Sequence, residues 1–138
     1  MFYCTRQDLI NAYGEEELIQ LTDRIYAGSI DELVLNQAIA IAQAEIDVWL
    51  TGSFKLPLPS VPLVLVMIAC DFTRYLLSGD IGVDHHVAVR RRDQLATLKA
   101  ISRGQISLGL DQSGEVTSRV DLVQIASGRN DFGDRSRW

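Results

Sequence analysis

The chain has 138 residues and, at 15.4 kDa, the size of one domain, long enough to bury roughly two-thirds of its unfolded surface in a core of its own. With 47% hydrophobic and 22% charged residues it is neither a disordered nor a fibrous sequence. Two cysteines, Cys4 and Cys70, are too few for a disulfide framework, and neither stands in a Cys-x-x-Cys pair, so a reducing compartment is expected. The first residues lack the charged start, apolar run and cleavage site of an export signal, so the protein is expected to stay in the cytoplasm.

Charge is unevenly spread. The net charge is -5, but residues 1–89 carry 12 acids against 4 bases and residues 90–138 carry 6 against 9. An acidic body repels phosphate while a basic tail attracts acidic surfaces, so the tail is the expected docking element and the body a poor nucleic-acid clamp. Eleven of the 13 bases are arginine, the cation better suited to planar, partly desolvated ion pairs at protein contacts.

In chain order, Thr5 with Asp8 three residues later caps a short helix over 6–13, and Gly14 stops it. A second helix over 15–22 follows, with Glu15, Glu16 and Glu17 at the positive end of its dipole. Two short helices around a glycine imitate a helix-turn-helix, but three glutamates would then face phosphate. Ser29-Ile30-Asp31-Glu32 reads as a capping box that opens a long helix ending near Thr51 and Gly52. Its Leu35, Ala38, Ile39, Ala42, Ile46 and Trp49 lie on one face, and Val34, Ile41 and Val48 form a second apolar stripe. A helix apolar over so much of its surface is either central to a bundle or in contact with another subunit. Val34, Ala38, Ile41, Ala42 and Val48 are therefore the candidate core or subunit-contact residues.

Three prolines within residues 57–62 demand a stiff, extended connection. Ser60 is the expected cap of the next helix, with Pro62 in its first turn and Ser78-Gly79 at its end. The run Val61–Cys70 is nearly all apolar but too short, before Asp71 and Arg74, to cross a bilayer, so a buried core helix is expected. Asp71 and Arg74, three apart, need each other or a neighbour as partner. After a glycine-containing loop over 80–84, a helix of about twenty residues is expected through Arg90-Arg91-Arg92 to Ser102 and Gly104, its arginines read as solvated or interfacial charge.

The period-two pattern of residues 105–110, the turn at 111–114 and the apolar residues of 115–125 point to extended structure, a short β-hairpin being one form of it. The end of the chain is too polar and glycine-rich to fold alone, yet holds Phe132, Trp138 and Arg129, Arg135 and Arg137. These residues with Arg119 form the candidate docking set of a tail that orders on a partner, a disordered terminus being the alternative. The expected architecture is all-α: a compact bundle of about four to five helices over residues 1–104, with an extended C-terminal arm over 105–138.

Catalytic constellations are hard to assemble. His85 and His86 beside Asp84 diverge by about 100° on a helix and suit capping or surface roles better than one metal ion. There is no Gly-x-Ser-x-Gly elbow and no glycine-rich phosphate loop. Glu45 and Asp47, two apart, point to different sides of their helix; Cys4 is expected near a disordered start, and Cys70 in an apolar helix reads as an inert thiol. No catalytic residue, metal or cofactor is expected.

Five blocks in order carry a family resemblance: Gly14-Glu15-Glu16-Glu17-Leu18-Ile19-Gln20-Leu21-Thr22-Asp23; Ala44-Glu45-Ile46-Asp47 with Leu50 and Gly52; Leu56-Pro57-Leu58 with Val61-Pro62; Ala69-Cys70-Asp71 with Arg74-Tyr75; and Arg103-Gly104-Gln105-Ile106-Ser107-Leu108-Gly109. Over residues 1–109 the chain resembles the Mu-like prophage virion proteins grouped as domain of unknown function 1320. The resemblance implies a head-to-tail connector, an all-helical adaptor that forms a ring of twelve copies between the portal protein and the tail. Implied partners are further copies of the chain, the portal, a tail terminator or stopper protein, and genome DNA passing through the lumen without sequence-specific contact; no membrane is implied. Glu15, Glu16 and Glu17 are candidate lumen-facing acids. The implied location is the head–tail junction of a virion assembled in the bacterial cytoplasm. The rival expectations are a small helical regulatory or nucleic-acid-binding protein and, more remotely, an enzyme using His85 or His86.

Overall fold

The structure, a computed structural model, describes residues 2–109. Five helices follow one another: α1 (Arg6–Tyr13), α2 (Glu15–Thr22), α3 (Glu32–Leu50), α4 (Leu63–Ser78) and α5 (His86–Ser102). Among the described residues there is no strand, so the all-α expectation holds there. Residues 105–109 are irregular rather than extended in a ladder. The proposed hairpin over 110–125 and the docking residues Arg119, Arg129, Phe132, Arg135, Arg137 and Trp138 lie outside the described residues.

The starts and stops of the helices follow local chemistry. Thr5 and Asp8 form a reciprocal capping box on α1, each side chain satisfying the other's backbone N–H. Gly14 ends α1 and begins α2 with φ 94° and ψ 150°, a conformation that costs a residue with a Cβ, although a Cβ there would meet open space. The requirement is one of backbone shape alone. Asp31, not Ser29, caps α3: its carboxylate accepts from the N–H groups of Leu33 (3.1 Å) and Val34 (3.3 Å), two and three residues on, where an N-cap oxygen must reach. Ser60 does not cap α4 either. Pro62, extended at ψ 150°, occupies the cap position, and its carbonyl accepts from Leu65 and Val66, so the helix opens at Leu63. α5 has 17 residues and begins at His86, with the His85 ring as its cap.

α4 is the hub. It packs against α5, α3, α1 and α2, which is why eight of its 16 residues are buried. Phe72, Leu65 and Ile68 sit at the centre with Leu35, Ile46 and Leu50 of α3 and Leu98 and Ile101 of α5. Leu9 and Leu18 close the core from α1 and α2, and Leu58, delivered by the proline-rich connection, fills one end. Cys4, read from sequence as belonging to a loose start, is instead 1% exposed and part of this core.

The two apolar stripes of α3 part company. Ala38 and Ala42 are buried against the bundle and Val34 is half-buried, whereas Ile41 and Val48 stand exposed on the far side. The small residues at 38 and 42 let α3 lie close to its neighbours. Ala42→Leu is therefore expected to overpack the core and cost about 1–3 kcal/mol of unfolding free energy, while Ala40→Leu on the exposed side changes it by less than about 0.5 kcal/mol. Urea denaturation of the two variants measures both; equal losses would contradict this division of the helix.

Candidate functional site

α3 turns an uncharged face outward. Leu33, Asn36, Gln37, Ala40, Ile41, Ala44 and Val48 are all exposed. At 100° per residue they fall within an arc of roughly 140°, and the helix is about 28 Å long. Val48 is 75% and Leu33 72% exposed, so this is a full stripe rather than a rim of the core. By length and mean hydropathy (1.2) α3 could cross a membrane, but here its inner face is one wall of a bundle. Contiguous exposed apolar stripes are what monomeric surfaces avoid and interaction surfaces keep.

No exposed residue of that arc is charged: Glu32 and Glu45 point outside it, and Asp47, which falls within it, is half-buried and engaged. Glu32 at the start accepts from Arg6 (2.8 Å). Glu45 pairs with Arg91 of α5, and Asp47 accepts from the hydroxyl of Tyr3. The divergence of Glu45 and Asp47 expected from their spacing is thus realised by partners on different sides.

The same inward turn of charge organises the rest of the domain. Asp71, 3% exposed, accepts from the Tyr13 hydroxyl (2.5 Å) through Oδ1 and from Gln94 (2.7 Å) and Arg90 (3.1 Å) through Oδ2. It does not pair with Arg74, which instead grips Glu17 with two bonds of 2.6 and 3.0 Å and lies 4.3 Å over the Tyr13 ring. Arg91 also stacks over Phe72 (4.8 Å) and Tyr75 (5.1 Å). Solvated or interfacial charge, expected for the arginine triplet, is corrected for one of the three: Arg91 is largely covered, whereas Arg90 stays exposed while it reaches the buried Asp71 carboxylate. Arg92 is exposed too and lies along the surface, 3.5 Å from the Val83 carbonyl.

The three glutamates of α2 differ from one another. Glu17 is committed to Arg74, Glu15 lies 3.8 Å from Arg6, and Glu16 is exposed. His85 Nδ1 accepts from the Val87 N–H (3.2 Å), and its ring stacks on His86 with centroids 4.5 Å apart. That is the capping role. Among the described residues no three His, Cys, Asp or Glu side chains are grouped to hold a metal ion.

Over the described residues the domain is all-helical, several of its charges are paired across helices, and the exposed residues on the outer arc of α3 are uncharged. Comparison with known proteins specifies the class: the chain belongs to the Bacteriophage Mu, Gp36 family, whose model matches residues 3–127. It is 30% identical to the Mu-like prophage FluMu protein gp36 of Haemophilus influenzae (strain ATCC 51907 / DSM 11121 / KW20 / Rd) over 133 residues, 96% of this chain and 94% of that one. It is also 30% identical to Gene product J of Escherichia phage Mu over 129 residues, 92% and 91% of the two chains. The chain is thus a protein of the Mu-like phage and prophage type, along nearly its full length.

Tyr3 and Tyr13 give the internal network a pH signature. Burial first, then the hydrogen bonds to Asp47 and Asp71 and the charge of those carboxylates, push both phenols above the ordinary tyrosine value of 10.0. Unfolded tyrosines ionise near that value and the folded ones later, so above about pH 10 the unfolded chain sheds protons that the folded chain keeps, and stability falls as pH rises. The expected slope is up to about 1.4 kcal/mol per pH unit for each tyrosine. Urea unfolding between pH 8 and 11 should show it in the native chain and show less of it in Tyr3→Phe; identical slopes would remove Tyr3 from the network.

Proposed function

We propose that this phage protein is a structural component of the virion and serves as a head-to-tail connector, an adaptor or head-completion protein that forms a ring between portal and tail. The observation that carries the proposal is the uncharged outer face of α3 on a member of the Gp36 family. A ring subunit must offer lateral surfaces to its neighbours besides filling its own core, and a heterologous contact that closes on itself generates a ring. Ile41 and Val48 supply the exposed part of such a contact, with Val34 at its edge; Ala38 and Ala42, buried, serve the core.

Electrostatics supports the same reading. Twelve copies at -5 each would carry about -60, and an acidic channel lets DNA slide without adhering. Glu15 and Glu16 are the better lumen candidates of the three, since Glu17 is neutralised by Arg74. The basic, aromatic-ended sequence of residues 105–138, with Arg119, Arg129, Phe132, Arg135, Arg137 and Trp138, suits docking on an acidic patch of the portal, while the opposite side of the ring would receive a tail terminator or stopper protein. A nucleic-acid-binding role is less well supported, because two of the arginines it would use, Arg90 and Arg91, are spent on Asp71 and Glu45. An enzymatic role for His85 competes with its service as a helix cap.

Two variants test the proposal in phage-producing cells. Ile41→Glu with Val48→Glu should leave folding within about 0.5 kcal/mol per site, since both side chains are exposed, yet yield heads that do not join tails. A chain lacking residues 121–138 should keep its helical body and fail to attach to heads. Normal virions from the first variant would remove the α3 contact, and normal virions from the second would remove the docking role of the tail.

A further inference from the structure

The link between α2 and α3, residues 23–31, holds two large apolar side chains out in solvent: Ile25 is 79% and Tyr26 95% exposed. It is pinned in that shape. The Asp23 carboxylate accepts from the N–H groups of Ala27 (2.9 Å) and Gly28 (2.7 Å), the Thr22 hydroxyl accepts from the N–H of Asp31 (3.0 Å), and Ile30 is buried in the core. Tyr26 takes φ 58°, a left-handed conformation that strains a bulky residue and suits glycine or asparagine. Strain of this kind is kept where the residue held in it has a use.

The bundle also carries an open groove of about 340 Å³ between α1, α4 and α5. Leu63 (72% exposed), Val66 and Met67 (46% exposed) of α4 give it an apolar floor, Asp8 and Asn11 of α1 line one side, and Arg90 of α5 lines the other. A cavity of about 150 Å³ is enough to hold a benzene ring, so this groove has room for a phenol ring and an isoleucine side chain together. We propose that the Ile25–Tyr26 knob of one copy of the chain seats in this groove of a second copy.

The two surfaces match in chemistry as well as in size. The Tyr26 ring meets Met67, whose thioether packs favourably on aromatic edges, and its hydroxyl reaches the polar sides, where Asn11 and Arg90 offer donors and Asp8 an acceptor. Arg24, exposed beside the knob, comes against the Asp8 carboxylate, so the charges are complementary too. The exposure of Ile25 and Tyr26 places them outside the groove of their own copy, which leaves a second copy as the occupant. A patch that fits a pocket elsewhere on the same molecule makes a heterologous contact, and each copy then offers its own knob or groove to the next. The contact uses neither the outer face of α3 nor a portal, so it stands or falls separately from the connector reading.

The experiment uses the full-length chain with Tyr26 replaced by the photoreactive p-benzoylphenylalanine. Unlabelled and nitrogen-15-labelled copies are mixed, irradiated, digested and analysed by mass spectrometry. The expected result is a link from position 26 to the α4 floor, at Met67 above all, that joins one light and one heavy copy. In parallel, sedimentation of the unmodified chain should show self-association with a Kd of about 10–100 μM, as befits a small contact. Tyr26→Gly removes the ring but relieves the backbone, so it should associate at least about tenfold more weakly with no loss of melting temperature. Met67→Arg, at an exposed position, should weaken association as much while the circular dichroism stays native. Links within one copy, to residues 110–138 or between two knobs, a native chain that stays monomeric at about 1 mM, or a Tyr26→Gly chain that associates as the native one does would each overturn the proposal.

Discussion

Asp71 is the constraint on which the rest depends. A carboxylate placed in the apolar centre of a helical bundle must be surrounded by donors, and a buried ion stripped of its partners costs about 3–5 kcal/mol. Here the donors come from the end of α1 and from two successive turns of α5, so satisfying one side chain of α4 fixes how two other helices lie against it. The Arg74–Glu17 pair then fastens α2, and the Arg91–Glu45 pair fastens α3 to α5. Four of the five helices are thus tied by charge to α4 or to its neighbour, around a core supplied by Phe72, Leu65 and Ile68.

On α3 this wiring departs from the usual distribution, in which charge covers the solvent side of a helix. The charged groups of α3 reach sideways or inward to partners, while the solvent side keeps Leu33, Ile41 and Val48. The cost of that arrangement in isolation is exposed apolar surface; its proposed use is contact with another copy of the chain. In the proposed ring these pairs would bear on assembly as well as on folding, since Glu45 released from Arg91 would put charge beside that face and Asp47 released from Tyr3 would put charge on it.

Much of this was legible in the sequence because it rests on local rules. The Thr5–Asp8 box, the stop at Gly14, the end of α4 at Gly79 and the span of α5 follow from caps and periodicity over a few residues. The two stripes of α3 were legible too, and their division into buried Ala38 and Ala42 and exposed Ile41 and Val48 required only knowing on which side the bundle lay. The caps of α3 and α4 shifted because several polar or proline residues stood in competition and local geometry chose among them. What could not be read were pairings across long separations. Asp71 was marked by its apolar surroundings, but Tyr13 and Gln94 carry no pattern that announces them as its partners. Arg91 looked solvated because its acid and its aromatic platforms lie on other helices, and Cys4 looked peripheral because position in the chain says nothing of burial.

The most direct measurement is an affinity purification of the chain from phage-producing cells, with partners identified by mass and the complex imaged by electron microscopy. A connector requires rings of this protein stacked on a portal, with the outer face of α3 against the neighbouring copy. A monomer bound to DNA, or to no virion protein at all, would contradict the connector and return the chain to the regulatory class.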